Sequence, residues 1–210
     1  MILGELIGEG TGRKVHNYFG NKVIKMAKNK AGVAQNKIEA TASIDKNLCA
    51  RVLDFDPEYE WIVMESAPVV SKKEFESFSG FSQTIFRTYL DYHCFTVLTD
   101  DKVHAANIDK EVLKQIDFKL MDNNIFIKSL LKLTLENRLS VKDLSRYDSW
   151  GRNERTGNIV LFDYGLNWDV YKSCYTVTER DYSMDGALYK KGCVLPNEGY
   201  ENLVKNGRKR

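Results

Sequence analysis

Four features of this chain have residue types and spacings suited to chemistry. The first is a glycine cluster, Gly8-Glu9-Gly10-Thr11-Gly12. With so few side chains in the way, its backbone suits either a tight turn or the close approach of an anion. The second is Lys25, which closes the apolar run Val23-Ile24, and the third is Glu39, 14 positions further on. Alone, a lysine at a strand end reads as a surface cation. Held by a carboxylate, it stays charged inside a cleft and directs its ammonium group at phosphate oxygens. The fourth is Asp163, after Ile159-Val160-Leu161-Phe162 and before Tyr164-Gly165. An acid at the end of a buried strand is costly to leave unpaired, so it meets a cation or several donors. A purely structural acid at a strand end is the plainer alternative.

These residues need elements to position them. Apolar runs broken by glycine turns predict strands at Ile2-Leu3 and Leu6-Ile7, at 15–18, and at 22–26 after a Gly20-Asn21 hairpin turn. Val33, Lys37, Ala40 and Ile44 fall at helical intervals, which predicts a helix over 32–44 that carries Glu39. Strands follow at 50–55 and, after the Asp56-Pro57 turn, at 61–64. Beyond Ala67 the pattern changes, with helices predicted over 73–78, 83–93, 110–120 and 125–139. A polar loop over 140–158 then leads into the strand that ends at Asp163. Short helices are all that 166–175 and 199–204 can supply. The expectation is an α+β chain, with an N-terminal sheet lobe over 1–66 and a reduced, mainly helical C-terminal lobe over 67–210.

Composition narrows the function classes. The 210 residues, 43% of them hydrophobic, can bury a core without a metal or disulfide. Lys+Arg 31 against Asp+Glu 29 leaves no global field for nucleic acid or membrane, so no specific nucleic-acid partner is expected. The exception is a short basic end, Lys205-Asn206-Gly207-Arg208-Lys209-Arg210, read as a solvated tail. Cys49, Cys94, Cys174 and Cys193 lack CxxC spacing, and His16, His93 and His104 lack metal-ligand spacing. The cysteines read as reduced thiols. No stretch approaches the roughly 20 apolar residues of a membrane span, so a soluble, cytoplasmic protein is expected.

The order glycine cluster, Lys25, Glu39, Asp163-Tyr164-Gly165 resembles the nucleotide-binding half of the protein-kinase fold over about residues 4–168. Val15 falls where the kinase pattern G-x-G-x-x-G-x-V, counted from Gly8, places its valine, although Arg13 stands at the third glycine position. Asp-Tyr-Gly is a variant of the kinase Asp-Phe-Gly. The segment Trp61-Ile62-Val63-Met64-Glu65-Ser66-Ala67 is similar to a kinase edge strand and hinge, with Met64 as gatekeeper. The resemblance implies that Gly8, Gly10 and Gly12 approach the phosphates of ATP and that Lys25, oriented by Glu39, neutralises them. It also implies that backbone groups of Glu65 and Ala67 meet the adenine and that Asp163 holds Mg2+. Arg13 offers a further phosphate contact.

The catalytic loop admits three registers. Kinases place the proton-accepting aspartate five residues before a metal-binding asparagine. Aligned on Asp143, the fifth following residue is Asp148, and this favoured register makes Asp143 the proton acceptor and Asp148 an auxiliary metal ligand. Aligned on Asp148, the fifth is Asn153. Counting back from Asp163 puts Ser149 near the asparagine position. No Ala-Pro-Glu triplet closes an activation segment, so the second lobe is reduced. Lys25-Met26-Ala27-Lys28-Asn29 with Gly32, Gln35-Asn36 and Glu39, and Asp143-Leu144-Ser145-Arg146 with Ser149-Trp150-Gly151, resemble small kinase-like proteins encoded by tailed bacteriophages. That family implies a minimal ATP- and Mg2+-binding phosphotransferase acting on a hydroxyl. The alternatives are a pseudokinase-type module that occupies a host or phage protein, and a virion-associated structural protein.

Overall fold

The structure, a computed structural model, describes residues 2–45, 47–93 and 108–175. Cys94, His104, Cys193, the helix expected over 199–204 and the basic end lie outside the described residues.

The first half is a sheet. Strands β1 (Leu6–Glu9), β2 (Arg13–Tyr18), β3 (Lys22–Ala27), β4 (Val52–Phe55) and β5 (Trp61–Glu65) pair antiparallel in the order β1-β2-β3-β5-β4. Gly20, with φ +66°, makes the turn between β2 and β3, a conformation that suits a residue without Cβ. Ile2 and Leu3 form no strand. Helix α1 (Lys30–Thr41) crosses behind β3, β5 and β4. It starts at Asn29, whose side chain caps the amides of Ala31 and Gly32 at 3.1 and 3.2 Å.

This helix corrects the expected span. It ends at Thr41 rather than Ile44, where the chain turns extended at Ala42 and Ser43 bonds to Asn137 on a distant helix. Its buried face is Ala31, Gly32, Gln35, Asn36 and Glu39, whereas Val33 and Ala40 are half-buried and Lys37 and Thr41 are exposed. The helix turns amide and carboxylate groups inward because each finds a polar partner there: Glu39 meets Lys25 and Arg13, Asn36 meets the Tyr59 carbonyl and Gln35 meets the Tyr175 hydroxyl.

The second half is mostly helical: α2 (Lys72–Ser79), α3 (Gln83–Tyr92), α4 (Lys110–Leu113), α5 (Phe118–Asn123), α6 (Ile125–Asn137), α7 (Val141–Leu144) and α8 (Trp168–Cys174). Ser71 and Glu74 start α2 with reciprocal capping bonds, and Gly80 ends it in the left-handed conformation. The single helix expected over 110–120 is two, because Asp117 bonds the Leu120 amide and opens a new helix. The loop expected over 140–158 also holds structure. It contains α7, a 3-10 turn at Tyr147–Ser149, and β6 (Trp150–Arg152), which pairs with β7 (Ile159–Leu161). Strand β7 stops at Leu161, two residues short of Asp163. No described helix is long and apolar enough to cross a membrane.

One core joins the halves. Val23 and Met64 from the sheet meet Phe75, Phe86, Tyr89, Leu130, Leu131 and Trp150. Trp150 is fully buried among Phe75 and Phe126, and its indole N–H donates to the Leu144 carbonyl at 3.0 Å. The segment before β4 is tied to β7, with Ala50 N–H donating to Leu161 O at 2.9 Å and Tyr164 Oη donating to Ala50 O at 2.9 Å. These bonds set the strand that precedes Asp163 against the sheet that carries Lys25.

Candidate functional site

Lys25 sits on the inner strand β3, opposite Val15 of β2 and Ile62 of β5, and is buried. Its ammonium donates to the two Glu39 oxygens at 3.0 and 2.9 Å and to the Phe162 carbonyl at 2.7 Å. Three donors thus find three acceptors. Burial pulls the Lys25 ammonium below its ordinary pKa, with Glu39 acting against that shift.

Arg13 completes the cluster. Its Nη1 lies 3.0 Å from Glu39 Oε1, and its Nη2 donates to Asp163 Oδ1 at 2.6 Å. Asn36 Oδ1 stands 3.5 Å from the same Nη1. Lys25 Nζ is 3.9 Å from Asp163 Oδ1. Two cations and two carboxylates therefore alternate around one small volume. Burial acts to raise the Asp163 carboxyl, but Arg13 and Lys25 outweigh it and hold the group below the usual carboxylate range. Burial likewise opposes the Arg13 charge, and Glu39 and Asp163 more than offset it. The Asp163 side chain remains 52% exposed, so one side of it faces the cleft.

The glycine cluster begins inside β1 and turns at its end, where Gly10 N–H donates to Arg13 O at 2.9 Å. Thr11 O accepts from Asn29 Nδ2 at 3.1 Å and Gly12 O from Lys28 N–H at 2.8 Å. The amide N–H groups of Thr11 and Gly12 have no protein partner among the described residues. Gly12 lies so close to Gly32 that a Cβ on Gly32 would overlap the Gly12 carbonyl. The turn is thereby pinned to the start of α1. Gly10 has open space around it.

Two connected hollows lie beneath. A cleft of about 800 Å³ runs between Gly8, Val15 and Val23 above and Met64 to Val69, Phe162 and Asp163 below. A smaller hollow of about 360 Å³ continues from it, lined by Gly10, Thr11, Gly12, Arg13, Lys25, Asp143, Arg146, Asp148 and Asp163. Gly8, Gly10, Lys25, Glu65, Ala67 and Asp163 thus border the cleft, and Gly12, Asp143 and Asp148 border the hollow. Glu39 stands behind them.

The loop residues sort out by position. Asp143 is the third residue of α7, and its carbonyl accepts from Ser149 Oγ at 2.9 Å. Asp148 has both oxygens held by Arg146, at 2.8 and 2.5 Å, so the Arg146 side chain holds its pKa below the ordinary value. Asn153 is elsewhere: its Nδ2 donates to Glu65 Oε2 at 2.8 Å, and it does not line the hollow. The register that pairs Asp148 with Asn153 therefore brings no two groups together. Glu65 is gripped by Arg51, Asn153 and Arg155. Burial pushes its carboxyl up, and those donors overcome that and bring it down to about 2.

Of the expected Mg2+ ligands, Asp163 gives Oδ1 to Arg13 and is half exposed, and Asp148 gives both oxygens to Arg146. Among the described residues no three His, Cys, Asp or Glu side chains gather into a group able to hold a metal. Sequence reasoning missed the central part of Arg13 and the pairing of Arg146. The one available signal was a charged residue in a glycine position of the cluster.

No family model and no curated protein matches this chain. Among solved structures it is similar to the GDP complex of wild-type aminoglycoside 2'-phosphotransferase-IIIa. The identity is 11% over 97% of this chain and 80% of that one, with a TM-score of 0.33. At that score the likeness carries no part of the functional reading.

Proposed function

We propose that this chain is a kinase-like nucleotide-binding protein that takes ATP in the cleft below the glycine turn. The observation that carries this reading is the Lys25, Glu39 and Asp163 cluster at the inner end of an 800 Å³ cleft. The base enters between Val15, Val23 and the Met64 to Ala67 segment, where apolar walls and a strand-end backbone suit a flat heterocycle. The Thr11 and Gly12 amides and the Lys25 ammonium then face the phosphates.

Phosphotransfer to a hydroxyl is a second reading, favoured by one observation. Asp143 lines the same small hollow as Arg13, Lys25 and Asp163. A carboxylate there can accept the hydroxyl proton as the nucleophile attacks. A host or phage protein is the proposed partner if the chain acts by binding alone.

The test is thermal unfolding with ATP, measured with Mg2+ and again with a chelator. Ligand at about 100 times its dissociation constant stabilises a fold by about 2.7 kcal/mol. No shift in either condition removes the nucleotide reading. Phosphotransfer is then read from label transferred out of ATP. Asp143→Asn should leave binding intact while lowering turnover about 100-fold or more.

A further inference from the structure

We propose that Arg13 is the cation that Asp163 takes in this protein, so that nucleotide phosphates are held by Arg13 and Lys25 with no divalent ion required between Asp163 and the ligand. This rests on the nucleotide reading above and goes beyond it.

The geometry points this way in three steps. Arg13 is buried, and its two terminal nitrogens reach Glu39 and Asp163 at 3.0 and 2.6 Å. A guanidinium keeps its charge at every working pH and fixes its donors in a plane. Second, a divalent ion on Asp163, even on the oxygen that Arg13 leaves open, would stand beside two cations, or would have to displace Arg13 from Oδ1. If Arg13 stays buried after such a displacement it loses one of its two carboxylates, and breaking a buried pair in this way is strongly unfavourable. Third, the other carboxylate of the hollow that was expected to assist, Asp148, is already held on both oxygens by Arg146. Arg13, Lys25 and Arg146 line the hollow with Asp143, Asp148 and Asp163, and Glu39 stands behind Arg13 and Lys25. Because Arg13 lines it, an entering phosphate oxygen meets the guanidinium directly.

The experiment is the dissociation constant of ATP by calorimetry on the full chain, with Mg2+ and with EDTA. The wild type should bind with constants that agree within about three-fold, and a greater tightening by Mg2+ overturns the proposal. Arg13→Met should lose about ten-fold or more of the affinity in EDTA and recover part of it when Mg2+ is added. An Arg13→Met protein that binds as the wild type does in EDTA overturns it too. If Arg13→Met does not fold, the wild-type comparison decides alone, together with Mn2+ paramagnetic resonance. The Mn2+ spectrum in the presence of protein and ATP should match that of Mn2+ and ATP without protein. A distinct protein-bound Mn2+ signal counts against the assignment. Binding that needs Mg2+ sinks this inference and spares the nucleotide reading, whereas no binding in either buffer sinks both.

Discussion

Glu39 is the residue on which the site's charge balance turns. It accepts from Lys25 on both oxygens and stands 3.0 Å from Arg13, while Lys25 serves one carboxylate closely and a second only at 3.9 Å. Removing Glu39 leaves buried Lys25 with the Phe162 carbonyl and a carboxylate only at 3.9 Å, and Arg13 with Asp163 alone, whereas removing Lys25 leaves Glu39 with Arg13. Glu39→Gln should therefore destabilise more than Lys25→Met, with about 3–5 kcal/mol for the worse of the two. The double variant should cost less than the sum, since the pair shares one network. Urea denaturation measures both, and a Lys25→Met loss equal to or above that of Glu39→Gln contradicts the assignment.

At the scale of elements, the closest packing lies where the chain leaves the sheet. Residues 67–70 run beside β6, with Arg152 N–H donating to Pro68 O at 2.9 Å and Val70 N–H to Trp150 O at 3.1 Å. A Cβ on Gly151 would overlap the Ala67 carbonyl and lie 2.9 Å from Pro68 O. Both obstacles are backbone, so neither can swing away. Gly151→Ala should cost about 1–3 kcal/mol by overpacking, whereas Gly10→Ala, with open space around it, should change stability little. Equal stability of the two variants in a denaturant titration would refute the packing argument. These same elements mark what was legible in sequence. Strands β2, β3 and β5 were legible because alternation and turn residues signal them strongly, and the pairing of Lys25 with Glu39 was legible from the resemblance to the kinase order. The buried face of α1 was not, because Gln35, Asn36 and Glu39 turn inward to meet polar and charged partners rather than apolar surface. The structure within 140–158 escaped because its pieces are three or four residues long, too short for periodicity to show. Arg13 read only as an exception to a glycine pattern, since its partner Asp163 is 150 positions away.

Across the whole molecule, Glu65 joins regions that meet only through tertiary structure. It binds Arg51 before β4 and Asn153 and Arg155 beyond β6. Its carboxyl lies at about 2, below the ordinary 4.5. A lowered folded value means that the clamp contributes fully above the unfolded pKa. That contribution is lost as pH falls from about 4.5 towards 2, and it amounts to about 3 kcal/mol. Melting temperature against pH should fall steeply in that window for the wild type and less steeply for Glu65→Gln; parallel curves would show that the clamp adds nothing. Arg13 and Asp163 have a consequence for synthesis on the ribosome. When the sheet has emerged, Arg13 and Lys25 have only Glu39 between them, and the carboxylate that balances the second cation is still unmade. The half already made then carries two cations against one carboxylate in this cluster until Asp163 is added.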